Sequence, residues 1–149
     1  MFKHAFLAAA LALSACAHSA PAPQSAIPAN LGALKREIVS FYESGAYLQA
    51  VAAVTEEASA WIAERAPQVP RPAIVLDIDE TTLSNWAQIR ANDFGYFTDG
   101  PCDALPRGPC GALARENSGR AEPLAPTLAL YTAARAAGGT VFFITGRHE

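Results

Sequence analysis

The sequence carries no excess of basic residues: eleven Lys and Arg stand against fourteen Asp and Glu, for a net charge of −3. Without a basic stripe, nucleic acid is not an expected partner, because polyanion binding draws on clustered Lys and Arg. A bilayer-spanning helix needs about 20 apolar residues, and the apolar run near the start, Phe6 to Leu13, falls well short of that. No internal repeat is visible, so nothing points to a stacked or propeller architecture. Cysteines are few: Cys16, Cys102 and Cys110. What is present is ordinary for a globular chain. Hydrophobic residues make up 51% and charged residues 17%, which argues against wholesale disorder. A chain of 149 residues is long enough for one domain with a real core.

The first residues have the pattern of a targeting segment. Lys3 supplies a positive start, the short apolar run follows, and small residues close it. Leu13-Ser14-Ala15-Cys16 resembles a bacterial lipobox, in which cleavage before the cysteine frees its thiol to carry lipid. The alternative is an ordinary leader with an incidental cysteine. The expected organisation is a lipoprotein signal peptide over 1–15, a tether over 16–29 rich in Ala, Pro and Ser, and a domain over 30–149. Two or three acyl chains would anchor such a protein to a membrane stably. Ala17 lacks the acidic character that retains bacterial lipoproteins at the inner membrane, which favours the outer membrane after secretion. Loss of 1–15 removes one Lys, so ten basic residues against fourteen acidic ones leave −4. Lipidation of Cys16 would also leave Cys102 and Cys110 as an even pair in an oxidising compartment, either bridged or as two free thiols.

Asn30 is placed to cap a helix whose apolar residues are Leu31, Leu34, Ile38, Phe41 and Tyr42. Ser44-Gly45 breaks it. A second helical stretch runs from Tyr47 to Glu64, with Leu48, Val51, Val54, Ala58, Trp61 and Ile62 on one broad face. Both stripes read as packing surface. After Pro67, Pro70 and Pro72 comes Ala73-Ile74-Val75-Leu76-Asp77-Ile78-Asp79, whose continuous apolar run predicts a strand buried on both faces of a parallel sheet. Residues 84–121 show no clear period but hold Trp86, Phe94, Tyr96 and both later cysteines. A loop of that length inside a compact domain is usually functional or partly structured. Pro123 to Ala137 is helical again, Gly138-Gly139 stops it, and Thr140 to Ile144 forms a second strand ending at Thr145. Strand, excursion, helix, strand outlines a right-handed βαβ unit with parallel strands. Ligands of such sheets sit beyond the carboxyl ends of the strands. Asp77, Asp79 and Thr145 all fall there.

Two aspartates two positions apart stand within about 7 Å along a strand. Unpaired, they repel each other, and a divalent cation removes that cost; hard oxygen donors suit Mg²⁺. A carboxylate can attack phosphorus while a second one shuttles the proton, and a threonine hydroxyl can donate to phosphoryl oxygens. A bare Asp-x-Asp does not decide the chemistry, since it also occurs in metal sites of sugar-nucleotide transferases and in surface turns.

The longer run Val75-Leu76-Asp77-Ile78-Asp79-Glu80-Thr81-Thr82-Leu83-Ser84-Asn85 resembles the first motif of the haloacid dehalogenase superfamily, in the form found in class C bacterial and plant acid phosphatases (acid phosphatase B-type). Tyr42-Glu43-Ser44-Gly45-Ala46-Tyr47 resembles the helix upstream of that motif. Asn92-Asp93-Phe94-Gly95 and Gly108-Pro109-Cys110 look like the insertion after it. Phe142-Phe143-Ile144-Thr145-Gly146-Arg147 looks like the second motif. The resemblance runs from about Leu31 to the end of the chain. It implies an α/β, Rossmann-like core with N-terminal helices and a cap over about 84–121, and hydrolysis of small phosphate monoesters, a nucleotide or aromatic ester among them. Asp77 would be nucleophile and Mg²⁺ ligand, Asp79 the acid/base and a Mg²⁺ ligand through its backbone carbonyl, and Thr145 a phosphate contact. Trp86, Phe94 and Tyr96 would either stack on substrate or pack the cap. Glu80 reads as structural, and Arg147 either pairs with a carboxylate near the site or lies on the surface.

The family carries two further motifs, a Lys or Arg on the phosphate and an acidic pair on the metal, downstream of the second. Glu149 comes four residues after Thr145. The expectation is therefore a partial core whose C-terminal half is absent, with weak metal binding and little turnover by this stretch alone. The alternative is a non-catalytic storage or binding lipoprotein on the same fold, or a surface lipoprotein that only docks to a partner. Retention of Asp77 speaks against the first, and the Asp77-Asp79 pair speaks against the second, since unused neighbouring carboxylates at a strand end have no structural benefit.

Overall fold

The computed structural model describes residues 29–147. The expected leader over 1–15, Cys16 and the tether up to residue 28 lie outside the described residues.

Helix α1 spans Leu31–Glu43, and Asn30 caps it: its side-chain oxygen accepts the Ala33 N–H at 3.0 Å. A cap of this kind stabilises a helix by about 1 kcal/mol. The break at Ser44-Gly45 works because Gly45 adopts φ +82°, a left-handed conformation that only glycine enters freely. Helix α2 follows over Ala46–Arg65, one residue longer at each end than its apolar period indicated. A single 3-10 turn, Ala66–Gln68, carries Pro67 and leads into strand β1, Ala73–Asp77.

Strand β1 pairs in parallel with β4, Thr140–Ile144, in the register Ala73 to Thr140 through Asp77 to Ile144. Helix α5, Ala125–Ala136, makes the crossover; Pro126 sits in its first turn, where the missing N–H costs nothing. α5 packs on β4 and against α2, and α1 packs on α2. The Tyr131 ring lies over Phe143, with centroids 6.1 Å apart. Phe143 thus faces the helices, and its neighbour Phe142 faces the other way.

The chain between β1 and α5 is better ordered than its aperiodic sequence indicated. It holds β2 (Leu83–Ser84), α3 (Trp86–Ala91), α4 (Ala112–Asn117) and β3 (Glu122–Pro123). β2 and β3 pair antiparallel, Leu83 with Pro123 and Ser84 with Glu122. The excursion therefore leaves and returns at one place. Inside it, a disulfide joins Cys102 to Cys110. Gly108 and Gly111 lie so close to the backbone of Ala91 and of Asp99-Gly100 that a Cβ at either would collide with it.

The burial expected of β1 is corrected. Leu76 is buried, but Val75 is 57% exposed, and Phe142 and Ile144 of β4 are similarly open. The physical reason is that among the described residues helices cover one face of a two-stranded sheet. The α1 and α2 stripes are also largely uncovered: neither helix has a buried residue, and Val54 and Trp61 are each about two-thirds exposed. The buried apolar residues are Ala66, Leu76, Cys110, Ala112, Leu124, Leu130 and Ala134, most of them on α5 or in the excursion.

Candidate active site

Asp77 is the last residue of β1 and Ile144 the last of β4, and the two are partners in the parallel register. The Ile78 N–H donates to the Ile144 carbonyl at 3.1 Å, carrying the pairing one step past the strand. The chain then folds into a tight loop. The Thr82 and Leu83 N–H groups both donate to the Ile78 carbonyl, at 3.0 and 2.8 Å, and Glu80 has φ +54°. A non-glycine residue in the left-handed region is a backbone cost, tolerated where surrounding contacts enforce it. Here they do. Thr82 Oγ1 donates to the Asp77 carbonyl at 2.6 Å, and buried Thr127 on α5 donates its hydroxyl to the Thr81 carbonyl at 2.6 Å. The Leu124 N–H closes on the Thr82 carbonyl at 2.9 Å.

The loop projects two carboxylates into different surroundings. Asp77 is exposed and accepts one hydrogen bond, from Thr81 Oγ1 to Oδ2 at 3.0 Å. Asp79 is held from three directions. Asn85 Nδ2 donates to Oδ1 at 2.8 Å, Thr145 Oγ1 donates to Oδ2 at 3.2 Å, and Arg147 Nε reaches both oxygens at 3.0 and 3.2 Å. Arg147 Nη2 adds an ion pair with Oδ1. The Arg147 guanidinium holds the Asp79 carboxyl below the usual carboxylate range; partial burial opposes this, and Asn85 and Thr145 reinforce it. Glu80 behaves oppositely: burial pushes its carboxyl up, against the lowering effect of the Asn85 N–H, which donates to Oε1 at 2.6 Å.

Thr145 and Asp79, both expected at the site, are thus in direct contact, and Asp77 lies at the adjoining strand end. Two further residues join them. Asn85 stood in the quoted motif without a role, and Arg147 had two open readings. It pairs with Asp79. Glu80 binds the backbone of Asn85 and its carbonyl accepts from Tyr47 Oη at 3.2 Å, so its role is structural. Burial, followed by the nearby Glu80 and Tyr42, raises the Tyr47 phenol.

The three aromatic candidates separate. Trp86 stacks on Tyr42 of α1 with centroids 3.9 Å apart, and Phe94 meets Trp86 edge-on. Those two pack the excursion against α1. Tyr96 is 75% exposed and lines a cleft of about 540 Å³ together with Asp79, Asn85, Gln88, Glu116 and Arg147.

Among the described residues, neither Asp77 Oδ1 nor the Asp79 carbonyl accepts a hydrogen bond, which leaves two hard oxygens on one loop for a cation. No group of three or more His, Cys, Asp or Glu side chains converges among the described residues. The set fits a cation that takes its remaining ligands from water and phosphate, as Mg²⁺ commonly does.

Comparison with known families decides the assignment. Residues 5–149 match the model of the HAD superfamily, subfamily IIIB (acid phosphatase). The chain belongs to this family. Comparison with curated proteins and with solved structures returned no match. Membership in subfamily IIIB makes phosphate monoester hydrolysis the activity class and accounts for the mixed α/β core. The loop between β1 and β2 and the turn after β4 are then the two segments of this acid phosphatase that meet at its candidate active site.

Proposed function

We propose that Asp77 attacks the phosphorus of a small phosphate monoester and that Asp79 serves as its proton-transfer partner. In the first step, which starts from enzyme whose Asp79 carries a proton, the Asp77 oxygen–phosphorus bond forms, the bond to the leaving oxygen breaks, and Asp79 gives that oxygen its proton; because Arg147 favours the ionised carboxyl, this form grows as pH falls. In the second, water attacks the aspartyl-phosphate, Asp79 takes the water's proton, and Asp77 is regenerated as phosphate leaves. The Thr145 hydroxyl, now on Asp79, turns to donate to the phosphoryl oxygens. Asp77, through its carboxylate, and Asp79, through its backbone carbonyl, would hold Mg²⁺, which when bound would screen the repulsion between carboxylate and phosphate. The segment over 84–121 acts as a cap, and Tyr96 at the cleft rim is its substrate-facing aromatic residue. Attachment to a membrane through lipid on Cys16, at the bacterial outer membrane, belongs to the same reading.

The observation that carries it is the meeting, at the carboxyl ends of two parallel strands, of the Asp77-Asp79 loop with Thr145. The test is Mg²⁺-dependent hydrolysis of p-nitrophenyl phosphate by the full-length protein and its Asp77→Asn variant. Loss of hydrolysis in the variant is expected, and retained turnover refutes the nucleophile assignment.

A further inference from the structure

Arg147 lies in the turn that follows β4. Its side chain is only 17% exposed, and its guanidinium grips both oxygens of a carboxylate 68 residues earlier in the chain. The same turn makes a second contact with that carboxylate through Thr145, and the Arg147 N–H donates to Thr145 Oγ1 at 3.1 Å. Asn85 closes the opposite side through Oδ1. Asp79 would otherwise turn freely about its side-chain bonds, because the loop that carries it fixes only its backbone. We propose that Arg147 is a positioning residue: its planar fork sets the direction in which Asp79 presents its carboxyl to the leaving oxygen. This rests on the proposed proton-transfer role of Asp79.

The geometry distinguishes Arg147 from a simple counter-charge. Nε spans both oxygens while Nη2 adds a second donor on one of them, so the carboxylate plane is fixed as well as its place. A lysine would keep the charge and lose the fork. When the phosphoryl group takes the Thr145 hydroxyl, Arg147 and Asn85 still hold Asp79. Arg147 therefore acts on the proton-transfer partner and leaves phosphate binding to other groups.

The experiment uses the full-length protein, as wild type, Arg147→Ala, Arg147→Lys, Asp79→Asn and the Asp79→Asn/Arg147→Ala double variant, on two substrates with Mg²⁺ present. One is glycerol 2-phosphate, whose alkoxide leaving group needs a proton. The other is 2,4-dinitrophenyl phosphate, whose leaving group does not. Arg147→Ala is expected to lower kcat on the alkyl ester by about 100-fold or more, the scale of general acid catalysis, with KM little changed and a loss below about 10-fold on the aryl ester. Arg147→Lys recovers only part. The double variant falls no further on the alkyl ester than Asp79→Asn alone, as required of a residue that acts through Asp79. Equal losses on both esters, a rise in KM alone, or a further fall in the double variant overturns the proposal. A wild type that hydrolyses neither ester overturns the phosphatase reading itself. Independently of turnover, the Arg147 Nε–H should give a protected NMR signal that shifts and exchanges faster in Asp79→Asn; an unchanged signal refutes the contact.

Discussion

Asn92 satisfies both backbone polar groups of Cys110: its Nδ2 donates to the Cys110 carbonyl at 2.9 Å, and the Cys110 N–H donates to Asn92 Oδ1 at 2.8 Å. Both residues are buried, Cys110 completely. One amide side chain thereby stands in for a strand partner and ties the second half of the excursion to the end of α3. Asn92→Ala leaves the buried Cys110 N–H without a partner and its carbonyl with only the longer bond from Gln88 Nε2 at 3.4 Å, a cost of roughly 2 kcal/mol. Urea unfolding of the variant should show a lower midpoint with an unchanged slope; an unchanged midpoint refutes the clamp.

The Cys102–Cys110 disulfide closes a short loop, eight positions from one cysteine to the other. In the chain-entropy account a loop of that size contributes about 2.5 kcal/mol by restricting the unfolded chain. Reduction, or Cys102→Ser, should lower the melting temperature and leave secondary structure intact by circular dichroism. Identical melting with and without reductant would count against it.

Thr127 is 2% exposed and gives its only hydroxyl hydrogen to the carbonyl of Thr81, which sits in the Asp77-Asp79 loop. Thr127→Val keeps the shape and strands that carbonyl, at a cost of about 1–3 kcal/mol. Because the bond ties α5 to the loop, hydrogen exchange at Thr81 and Thr82 should quicken more than exchange along α2. Uniform quickening would mean that the bond stabilises the fold without steadying the loop.

Two carboxyls give opposite pH dependences in metal-free protein. The Asp79 carboxyl is lowered in the fold, from an ordinary value of 3.8, mainly by Arg147. Its stabilisation is present above that ordinary value and is lost as pH falls through the folded one. Glu80 is raised above its ordinary 4.5, mainly by burial. Its contribution is full below 4.5 and is lost as pH rises through the folded value. Denaturant midpoints against pH should therefore drop less at the acid end in Asp79→Asn than in wild type, and decline less above about pH 4.5 in Glu80→Gln. Parallel curves for all three proteins would refute both assignments.

The expected lipidation of Cys16 rests on Leu13-Ser14-Ala15-Cys16 alone. Metabolic labelling with palmitate in a bacterial host should mark the protein and leave Cys16→Ser unmarked. Equal labelling, or none in either, refutes the anchor.

Much of the frame was legible because it is written locally. Asn30 announces α1, Gly45 breaks it, and the apolar runs ending at Asp77 and at Ile144 mark β1 and β4. Residues 84–121 were not legible: α3 and α4 are six residues each, too short for a period to show, and they are held by Asn92, the disulfide and close glycine contacts. The openness of the sheet was misread because an apolar run records what a strand is suited to touch, not what covers it. At the site, the motif spacing brings Asp77, Asp79 and Thr145 to neighbouring strand ends. The partner of Arg147 could not be read, since nothing near position 147 marks a residue at 79. Only the parallel register, which sets Ile144 beside Asp77, brings the two within reach.

Where β2 and β3 pair, Ser84 stands opposite Glu122, so the excursion begins and ends at neighbouring points. A stretch anchored this way is nearly independent of the sheet below it. Doubling its length adds only about 0.6 kcal/mol of closure entropy. On the proposed reading of this segment as a cap, it is an interchangeable part: a foreign segment grafted after Asn85, which has to stay because it holds Asp79 and Glu80, and before Glu122 is the direct route to altering which esters enter.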